Sequence, residues 1–478
     1  MKEALLRSCV SAVIFCGITN PLVAGESLGP LRACPENPRY FAGPDGRAIL
    51  LTGSHTWNNL QDIGVGDPPP EFPFEAYLDL LKRCDHNFIR LWRFEMTRWD
   101  SAKKPTQTWT DRKALYSIAP HPWKRTGPAL ARDGLPKFDL SRLDPEYFDR
   151  LRERVASAEK RGLYVSVMLF EGFGVWALAD GWETHPFHAD NNVNGINGDL
   201  NGDQKGQETH QLLAPEVLRL QEAYVRRVVD AVGDYDNVLY EIANESRAES
   251  YEWQAHLVRF IQELEQTRGK AHPVGMTFLM GPQDQWLKSD EKLLTGPADW
   301  ISPSRNALDG FSYRTSPPPA TGAKVILADT DHFFGVGGSA DWAWKSMTRG
   351  HNPIFMDPFR NEVLGRAAPE TWEPLRKSLG QLRQGSLRLN LNKAVPHGEL
   401  ASTGYCLASP SSGEYIVYVP AGRDVSIDLT RAPKRLVATW IDPIEGLKNL
   451  QQPVEGGRTL PLTAPFDGPA VLQINPAP

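Results

Sequence analysis

Short apolar runs alternate with helix-patterned segments along most of this chain, from about residue 47 to residue 382. Eight apolar runs can be counted, and the segments between them carry apolar residues at helical spacing. Strands that alternate with helices pair as a parallel sheet, and eight consecutive β/α units close into a barrel. We therefore predict an α/β fold whose main domain is a (β/α)8 TIM barrel over residues 26–393.

The pattern changes after about residue 393, where short strands and turns follow one another without helical spacing. Glu414–Val419, Val425–Leu429 and Leu436–Trp440 are examples of these strands. With 478 residues, the chain is also longer than one ordinary domain. We predict a small C-terminal β-sandwich over residues 394–478.

Composition excludes some classes of function. The chain has 41% hydrophobic and 23% charged residues, as globular proteins do, and a net charge of -6 argues against a nucleic-acid partner. Its 14 tryptophans are many for this length. Indole faces stack on sugar rings, although they also fill large cores.

The N-terminus has the features of a secretory signal over residues 1–25. Lys2 and Arg7 supply positive charge, Val10–Ile18 is apolar, and Val23-Ala24-Gly25 offers small residues for cleavage. The apolar segment is too short to span a bilayer, and no later run approaches about 20 apolar residues. We expect a secreted or periplasmic protein without a membrane anchor.

Removal of this signal would leave Cys34, Cys84 and Cys406. One disulfide between Cys34 and Cys84 and a fully reduced state are both compatible with an exported protein. No Cys/His spacing indicates zinc.

The apolar run Asn237–Ser246 delivers the pair Asn244-Glu245 to a predicted strand end. Parallel barrels place the residues at these strand ends in the active site. The pair resembles the Asn-Glu that ends the fourth barrel strand in glycoside hydrolases of clan A. The resemblance implies that Glu245 is the general acid/base and that Asn244 holds a sugar 2-hydroxyl.

The same resemblance implies a second carboxylate at the end of the seventh strand, here Lys324–Asp331. Asp329 and Asp331 are the candidates, and strand alternation would put both on one face. The family usually has Glu at this position, so the shorter Asp is a departure. Position along the strand favours Asp329, but the order of the two roles stays open. A retaining double displacement needs carboxyl groups about 5 to 5.5 Å apart, and an inverting mechanism needs about 6.5 to 9.5 Å.

Further polar and aromatic residues fall at predicted strand ends. Sugar sites use such groups, because hydrogen-bonding side chains hold hydroxyls and indole faces cover the ring. Arg90 is favoured over Arg93 for the barrel interior, since it shares a strand face with Trp92. The predicted substrate-binding residues, besides Asn244, are His55, Trp57, Arg90, Trp92, Glu171, His332 and Asp357.

A loop rich in Asn, Gly and Asp lies between the third and fourth strands. From Asn197 onward it fits the spacing of an EF-hand calcium loop, although Asn is weak at the first position and the flanks lack paired helices. Loops of this composition also occur without a metal, because Asn, Asp and Gly favour turns. The expected calcium ligands are Asn197, Asp199, Asn201, Asp203 and Glu208.

The C-terminal segments Trp440–Gly446 and Phe466–Leu472 resemble the module that follows the barrel in apiosidase-like, DUF4038-type glycoside hydrolases. Together the resemblances imply a secreted glycoside hydrolase acting on a carbohydrate, with a plant cell-wall polysaccharide as the expected substrate and no required cofactor. A catalytically silent carbohydrate-binding protein on the same scaffold is the alternative, since fold does not fix function. An inverting glycosidase is a further one.

Overall fold

The computed structural model describes residues 30–103, 113–281, 290–307, 309–360, 363–364 and 369–477. The predicted signal segment, residues 1–25, lies outside this range. No helix in the described part of the chain has the length and apolar character needed to cross a membrane.

Eight parallel strands form a closed barrel, which confirms the predicted fold class. Neighbours in sequence are neighbours in the sheet, and pairing of the eighth strand with the first closes it. The strands are β1 Gly53–Thr56, β2 Phe88–Leu91, β3 Tyr164–Glu171, β4 Val238–Asn244, β5 Val274–Thr277, β6 Trp300–Ser302, β7 Val325–Asp329 and β8 Asn352–Met356.

Helices connect most of the strands and cover the outside of the barrel. The best defined start is that of α2, where the Asp144 carboxylate accepts the Glu146 N–H and Pro145 opens the first turn. The described helices are α1 Phe74–Arg83, α2 Pro145–Glu159, α3 Gly172–Ala177, α4 Pro215–Val232, α5 Tyr251–Gln266, α6 Thr330–Phe333, α7 Ala340–Thr348 and α8 Glu373–Ser386. Short 3-10 turns occur at Ala189–Asn191, Gln207–His210, Ala248–Ser250, Pro369–Trp372, Gly398–Leu400 and Pro410–Ser412.

The barrel interior is filled by large side chains at its amino-terminal end. Trp300 is 1% exposed and packs with Phe88, Tyr164 and Leu239. A Cβ on Gly275 would lie 1.9 Å from the Trp300 ring, so only glycine at this position of β5 leaves room for the indole. The barrel is therefore a packed core with its open end at the carboxyl ends of the strands.

Small sheets extend the barrel at both of its ends. A three-stranded sheet joins Asp62–Val65, Leu115–Ala119 and Arg98–Asp100, and Trp123–Leu130 pairs with Pro136–Leu143. Arg32–Ala33, Phe41–Ala42 and Ala48–Ile49 form another sheet before β1.

The C-terminal module consists of two antiparallel sheets around a separate apolar core that includes Val417, Trp440 and Leu472. The arrangement agrees with the predicted sandwich. Its strands are β9 Val395–Pro396, β10 Cys406–Ser409, β11 Glu414–Val419, β12 Asp424–Asp428, β13 Arg435–Asp442, β14 Gly446–Glu455, β15 Thr459–Thr463 and β16 Ala470–Pro476. The boundary at residue 393 stays a prediction; it falls between the end of α8 and the start of β9.

The module packs directly on the barrel helices. Trp344 of α7 is fully buried, stacks on Tyr418 at 6.4 Å between ring centroids, and donates its indole N–H to the Pro443 carbonyl at 3.0 Å. Gln473 donates to the Gly385 carbonyl of α8 at 3.2 Å.

Cys34, Cys84 and Cys406 are all free thiols. Of the two states left open by the sequence, the structure has the reduced one.

Candidate functional site

A cavity of about 240 Å³ opens at the carboxyl ends of the barrel strands. Its wall contains side chains that follow each of the eight strands, which is where barrel folds place their chemistry. The lining residues are Trp57, Trp92, Phe173, Trp176, Asn244, Glu245, Phe278, Met280, Ser304, Arg305, Arg314, Asp331, His332, Phe333, Phe334, Gly335, Val336 and Met356.

Glu245 enters the cavity from a left-handed backbone conformation, with φ of 46°. Residues other than glycine adopt this conformation rarely, and it needs support from its surroundings. The Thr277 hydroxyl accepts the Glu245 N–H at 3.1 Å, and the Trp176 indole donates to the Glu245 carbonyl at 2.9 Å. The backbone that carries this carboxyl group is therefore held at both ends of the residue.

Asp331 faces Glu245 across the cavity. One carboxylate oxygen of each residue and a ring nitrogen of His332 all lie within 4.8 Å of one another. The sequence analysis placed Asp331 in the seventh strand, and this was wrong. β7 ends at Asp329, and Asp331 lies in α6, which begins at Thr330. The turn arises because the Asp329 carboxylate accepts the Asp331 N–H at 3.0 Å and so caps α6.

Asp329 lies below the cavity and does not line it. His55 Nε2 lies 2.9 Å from one of its oxygens, and Arg90 donates to the other at 3.2 Å. The side chain is 4% exposed. His55 likewise lies under the cavity floor, where it stacks on Trp92 at 5.5 Å between ring centroids. Both residues therefore support the cavity from beneath.

Arg90 connects the acids from inside the barrel. It donates two hydrogen bonds to Glu241, at 2.6 and 2.7 Å, and one to the Asn244 amide oxygen at 2.6 Å. It also donates to Asp329 at 3.2 Å and to Asp331 at 3.4 Å. Burial disfavours the charged guanidinium, but attraction to Glu241 and the two aspartates raises the pKa of Arg90 above its ordinary value.

The two aspartates differ in their readiness to ionise. Burial would raise the pKa of Asp329, but interaction with His55, then with Arg90, holds that pKa well below its usual range. Burial and then repulsion by Asp329 raise the pKa of Asp331 to about 6. Asp329 is thus a permanent anion, while Asp331 ionises close to neutral pH.

Glu245 is held as a neutral acid. Burial, then the charges of Asp331 and Glu171, raise its pKa well above the ordinary value of a glutamate. Arg90 opposes this shift only in part. The cavity therefore pairs a protonated carboxyl group with a carboxylate, the division of labour that acid–base chemistry requires.

Asn244 has a fixed orientation beside this pair. Its amide oxygen accepts from Arg90 and, at 3.0 Å, from Nε2 of His332. Burial lowers the pKa of His332 to about 3, so the ring is neutral, and its Nδ1 accepts from the Ser302 hydroxyl at 2.8 Å. No acceptor for the Asn244 amide NH2 occurs among the described residues, so this group can donate to a ligand.

One side of the cavity is aromatic. Trp57 and Trp92 are almost completely buried, with ring centroids 5.9 Å apart, and Phe173 packs against Trp57 at 6.2 Å. Trp176 lines the cavity near Glu245. Trp176 is the partly exposed tryptophan of this wall, and its face suits the apolar side of a sugar ring, while Trp57 and Trp92 pack behind the cavity surface.

Four predicted substrate-binding residues do not line the cavity, and two of these, Glu171 and Asp357, are held by other contacts. Glu171 caps α3 by accepting the Gly174 N–H at 2.7 Å, and burial raises the pKa of its carboxyl group well above the usual range. Asp357 is fully buried and forms a bidentate pair with Arg376 at 2.6 and 2.7 Å. Of the other predicted residues, Trp57, Trp92, Asn244 and His332 line the cavity, and Arg90 and His55 lie beneath it.

Sequence reasoning missed a buried network behind Glu245. His210 Nε2 lies 2.8 Å from a carboxylate oxygen of Glu95, and His185 lies 3.2 Å from the other oxygen. The second nitrogen of His210 lies 3.0 Å from the hydroxyl of Ser246, the residue after Glu245. These residues are distant in sequence, so no local motif predicts that they contact one another.

Cavity residues outside the strand ends were missed as well. Trp176 lies on α3, and Arg305 and Arg314 lie between β6 and β7. An aromatic residue five positions after Glu171 was a usable signal for Trp176, whereas nothing in the sequence distinguishes the two arginines from other surface arginines.

The expected calcium loop is held by its own hydrogen bonds. Both carboxylate oxygens of Asp199 accept N–H groups, from Gly202, Asp203 and Gln204, and Asn201 donates to Glu208. The Asn197 oxygen accepts the Asp199 N–H at 3.2 Å. Within the described residues, the only cluster of three His, Cys, Asp or Glu side chains with metal-ligand spacing is Glu245, Asp331 and His332. Asp199, Asp203 and Glu208 do not form such a cluster, and calcium binding, which would also use the amide oxygens of Asn197 and Asn201, stays a prediction.

Comparison with known proteins gives a family model that matches part of the chain, and a shared fold. A family model described as a domain of unknown function, DUF6298, matches residues 95–295. No curated protein matches the chain. A glycoside hydrolase family 5 structure from Bacteroides vulgatus aligns with a TM-score of 0.60 at 14% identity, covering 94% of this chain and 93% of that one. Another glycoside hydrolase structure aligns with a TM-score of 0.55 at 12% identity, covering 94% and 98%. At these identities the likeness establishes the barrel fold.

Proposed function

We propose that this protein is a retaining glycoside hydrolase in which Glu245 is the general acid/base and Asp331 is the nucleophile. The observation that carries the proposal is the approach of their carboxylate oxygens to within 4.8 Å in a cavity lined by tryptophans. An approach of single oxygens to within 4.8 Å is compatible with the roughly 5 to 5.5 Å between the carboxyl groups of a double displacement, and it favours that mechanism over inversion, which needs 6.5 to 9.5 Å.

The first step is attack of the Asp331 carboxylate on the anomeric carbon. The bond from that carbon to the leaving oxygen breaks, and Glu245 gives its proton to the oxygen. In the second step Glu245, now a carboxylate, takes a proton from water while the water oxygen displaces Asp331 from the sugar. Product release leaves both groups in their starting protonation states.

The surrounding residues prepare this exchange. The raised pKa of Glu245 favours a proton available for donation at neutral pH, and the raised pKa of Asp331 makes it a more basic carboxylate than an ordinary aspartate. Arg90 stabilises the ionised aspartates from below. Asn244, oriented by His332, is the donor proposed for the sugar 2-hydroxyl.

Asp329 was favoured for the nucleophile by its position along the strand. Its contacts with His55 and Arg90 below the cavity support a positioning role instead. The proximity of Asp331 to Glu245 also favours hydrolysis over silent carbohydrate binding, for which no second acid would be required.

Substrate and location follow from resemblance alone. An apiosidase-like enzyme, exported by its first 25 residues and acting on a plant cell-wall polysaccharide, remains the proposal. A calcium ion in the 197–208 loop remains a prediction beside it.

The test is reducing-sugar release from a panel of plant and microbial polysaccharides. Glu245→Gln and Asp331→Ala are each expected to lower kcat by at least about a thousandfold, since each removes one of the two reacting groups. Azide should restore turnover to Asp331→Ala with an inverted glycosyl azide as product, because the small anion occupies the space of the lost carboxylate.

Asp329→Ala is the matched control. It should lose activity without azide rescue, because Asp329 does not face the anomeric carbon. Azide rescue of Asp329→Ala but not of Asp331→Ala would exchange the two roles. Full activity in Glu245→Gln would overturn the mechanism.

A further inference from the structure

Two arginines that no catalytic step uses line the same cavity. Arg305 and Arg314 lie nine positions apart between β6 and β7. The Tyr313 N–H donates to the Arg305 carbonyl at 3.0 Å and brings their backbones together. Tyr313 is itself fixed, because its ring stacks on Phe333 at 5.7 Å between ring centroids. The fold thus places two like charges on one wall of the cavity.

Arg314 has the clearest geometry. Its guanidinium carbon lies 4.8 Å from the centroid of the Phe334 ring, which also lines the cavity. A guanidinium stacked on a ring keeps its N–H edge available for hydrogen bonds. Among the described residues no carboxylate lies within 4.0 Å of this guanidinium.

Other cationic residues near the cavity are neutralised. Arg132 and Lys205 line a neighbouring cavity that shares Trp176 with the catalytic one. Arg132 pairs with Asp190 at 3.1 Å and Lys205 with Asp203 at 3.0 Å. The absence of such a partner for Arg314, within the part of the chain that is described, sets it apart.

The acidic groups of the site are separate from this wall. Arg90 is shared by Glu241, Asp329 and Asp331 beneath the cavity, so negative charge gathers at the floor, while Glu245 is held neutral. The wall formed by the β6–β7 segment therefore presents positive potential to whatever enters. Like charges gathered in a cleft favour a ligand of opposite charge.

We infer that the substrate is an anionic glycan and that Arg314 binds the acidic substituent of a sugar bound in the cavity. This inference rests on the proposed function for the identity of the ligand as a glycan. A guanidinium matches the two oxygens of a carboxylate, as in a uronic acid, and also those of a sulfate ester. Trp176, which follows β3 and is partly exposed in the cavity, would cover the ring itself.

The experiment measures binding and turnover on three sets of oligosaccharides. The first contains uronic acids, the second is the same set after carboxyl reduction to neutral sugars, and the third is sulfated. Binding is measured by calorimetry in Glu245→Gln, which prevents hydrolysis, and kcat/KM is measured in the otherwise unchanged enzyme. Each measurement is repeated with Arg314→Gln and Arg314→Lys.

We expect Arg314→Gln to lower affinity and kcat/KM for the acidic set by about tenfold to a hundredfold, the effect of losing a charge-assisted hydrogen bond. The neutral set should lose much less, so the ratio of kcat/KM for the acidic set to that for the neutral set should fall. Arg314→Lys should lose less affinity and kcat/KM than Arg314→Gln, because lysine keeps the positive charge but lacks the two parallel N–H donors of the guanidinium. Arg435→Gln removes an exposed arginine of the C-terminal module, and it should change neither the affinity nor kcat/KM for any set.

The outcomes separate the two proposals. Preference for sulfated over uronic oligosaccharides would identify the substituent as sulfate. Equal use of acidic and neutral sets, with no effect of Arg314→Gln, would overturn the anionic substrate and leave the hydrolase intact. Arg314-dependent binding of acidic oligosaccharides without turnover of any set would support the anionic ligand and overturn the hydrolase.

Discussion

Two aspartates of identical chemistry acquire opposite properties here because of what surrounds them. Asp329 is held ionised by His55 and Arg90, whereas Asp331, two positions later, takes up a proton near neutral pH. Asp331 also reaches the cavity although its side chain is one methylene shorter than the expected glutamate. It does so because the chain leaves β7 at Asp329 and turns into α6.

The pH dependence of kcat/KM should follow from these shifts. The nucleophile must be ionised, so activity should rise with pH through an acid limb near pH 6, the pKa of Asp331. The general acid must be protonated, so activity should fall on the alkaline side, at a pH above the ordinary range of a glutamate. The two limbs belong to the coupled pair.

Asp329→Asn provides the control for the acid limb. Loss of the Asp329 charge removes repulsion from Asp331, so the limb should move to lower pH in the activity that remains. An acid limb at the same pH as in the unaltered enzyme would contradict the repulsion between Asp329 and Asp331. An acid limb far below pH 4 in the unaltered enzyme would favour Asp329 as the nucleophile.

At the scale of elements, the ends of β4 and β5 act together. The Thr277 hydroxyl accepts the N–H of Glu245 and donates to the Ala243 carbonyl at 2.9 Å. It therefore satisfies two backbone groups at the left-handed residue that orients the proposed catalytic carboxyl group. Gly172 of α3 approaches the same turn, since a Cβ there would lie 2.5 Å from the Ser246 backbone.

Thr277→Val should test this support. The substitution conserves shape but leaves the Glu245 N–H without its partner, at a cost of about 1 to 3 kcal/mol. We expect lower folding stability by that amount in chemical denaturation and a lower kcat, because Glu245 is no longer held in place. Thr277→Ser retains the hydroxyl and should stay close to the parent enzyme in both measurements. Equal loss in the two variants would contradict a special role of the hydroxyl, because Thr277→Ser retains it.

At the scale of the whole molecule, the C-terminal module is attached to the barrel through buried contacts. Trp344 connects the two through its stacking on Tyr418 and its hydrogen bond to Pro443. An exposed ion pair between Lys377 and Glu445, 3.1 Å apart, adds little, since such pairs are screened by water. The cavity lies at the carboxyl ends of the barrel strands, so the module is expected to contribute stability rather than chemistry.

Trp344→Ala should lower the free energy of unfolding by about 3 to 5 kcal/mol, the usual cost of deleting a buried indole. kcat on the best substrate should remain within a factor of about two under conditions where the variant is folded. Chemical denaturation and initial rates provide the two measurements. Lys377→Gln should change neither. A large fall in kcat with intact folding would give the module a direct part in the reaction.

The sequence alone determined the barrel and most of its elements. Apolar runs alternating with helical spacing reflect strands buried on both faces, a local pattern that leaves little alternative to a parallel sheet. The position of Glu245 after the fourth strand was predictable too, because the apolar run that ends beside it is a local pattern.

Tertiary structure alone decided which residues share a site. Arg90 meets Glu241, Asp329 and Asp331 from strands far apart in sequence, and the resulting pKa values depend on burial and on neighbours that no local pattern contains. Two other positions depend on tertiary contacts as well. Asp357 pairs with Arg376 and does not line the cavity, whereas Arg314 lines it. Local sequence fixes the backbone pattern through short-range sterics and apolar periodicity. The distances and electric fields that make a site reactive arise only when remote segments pack together.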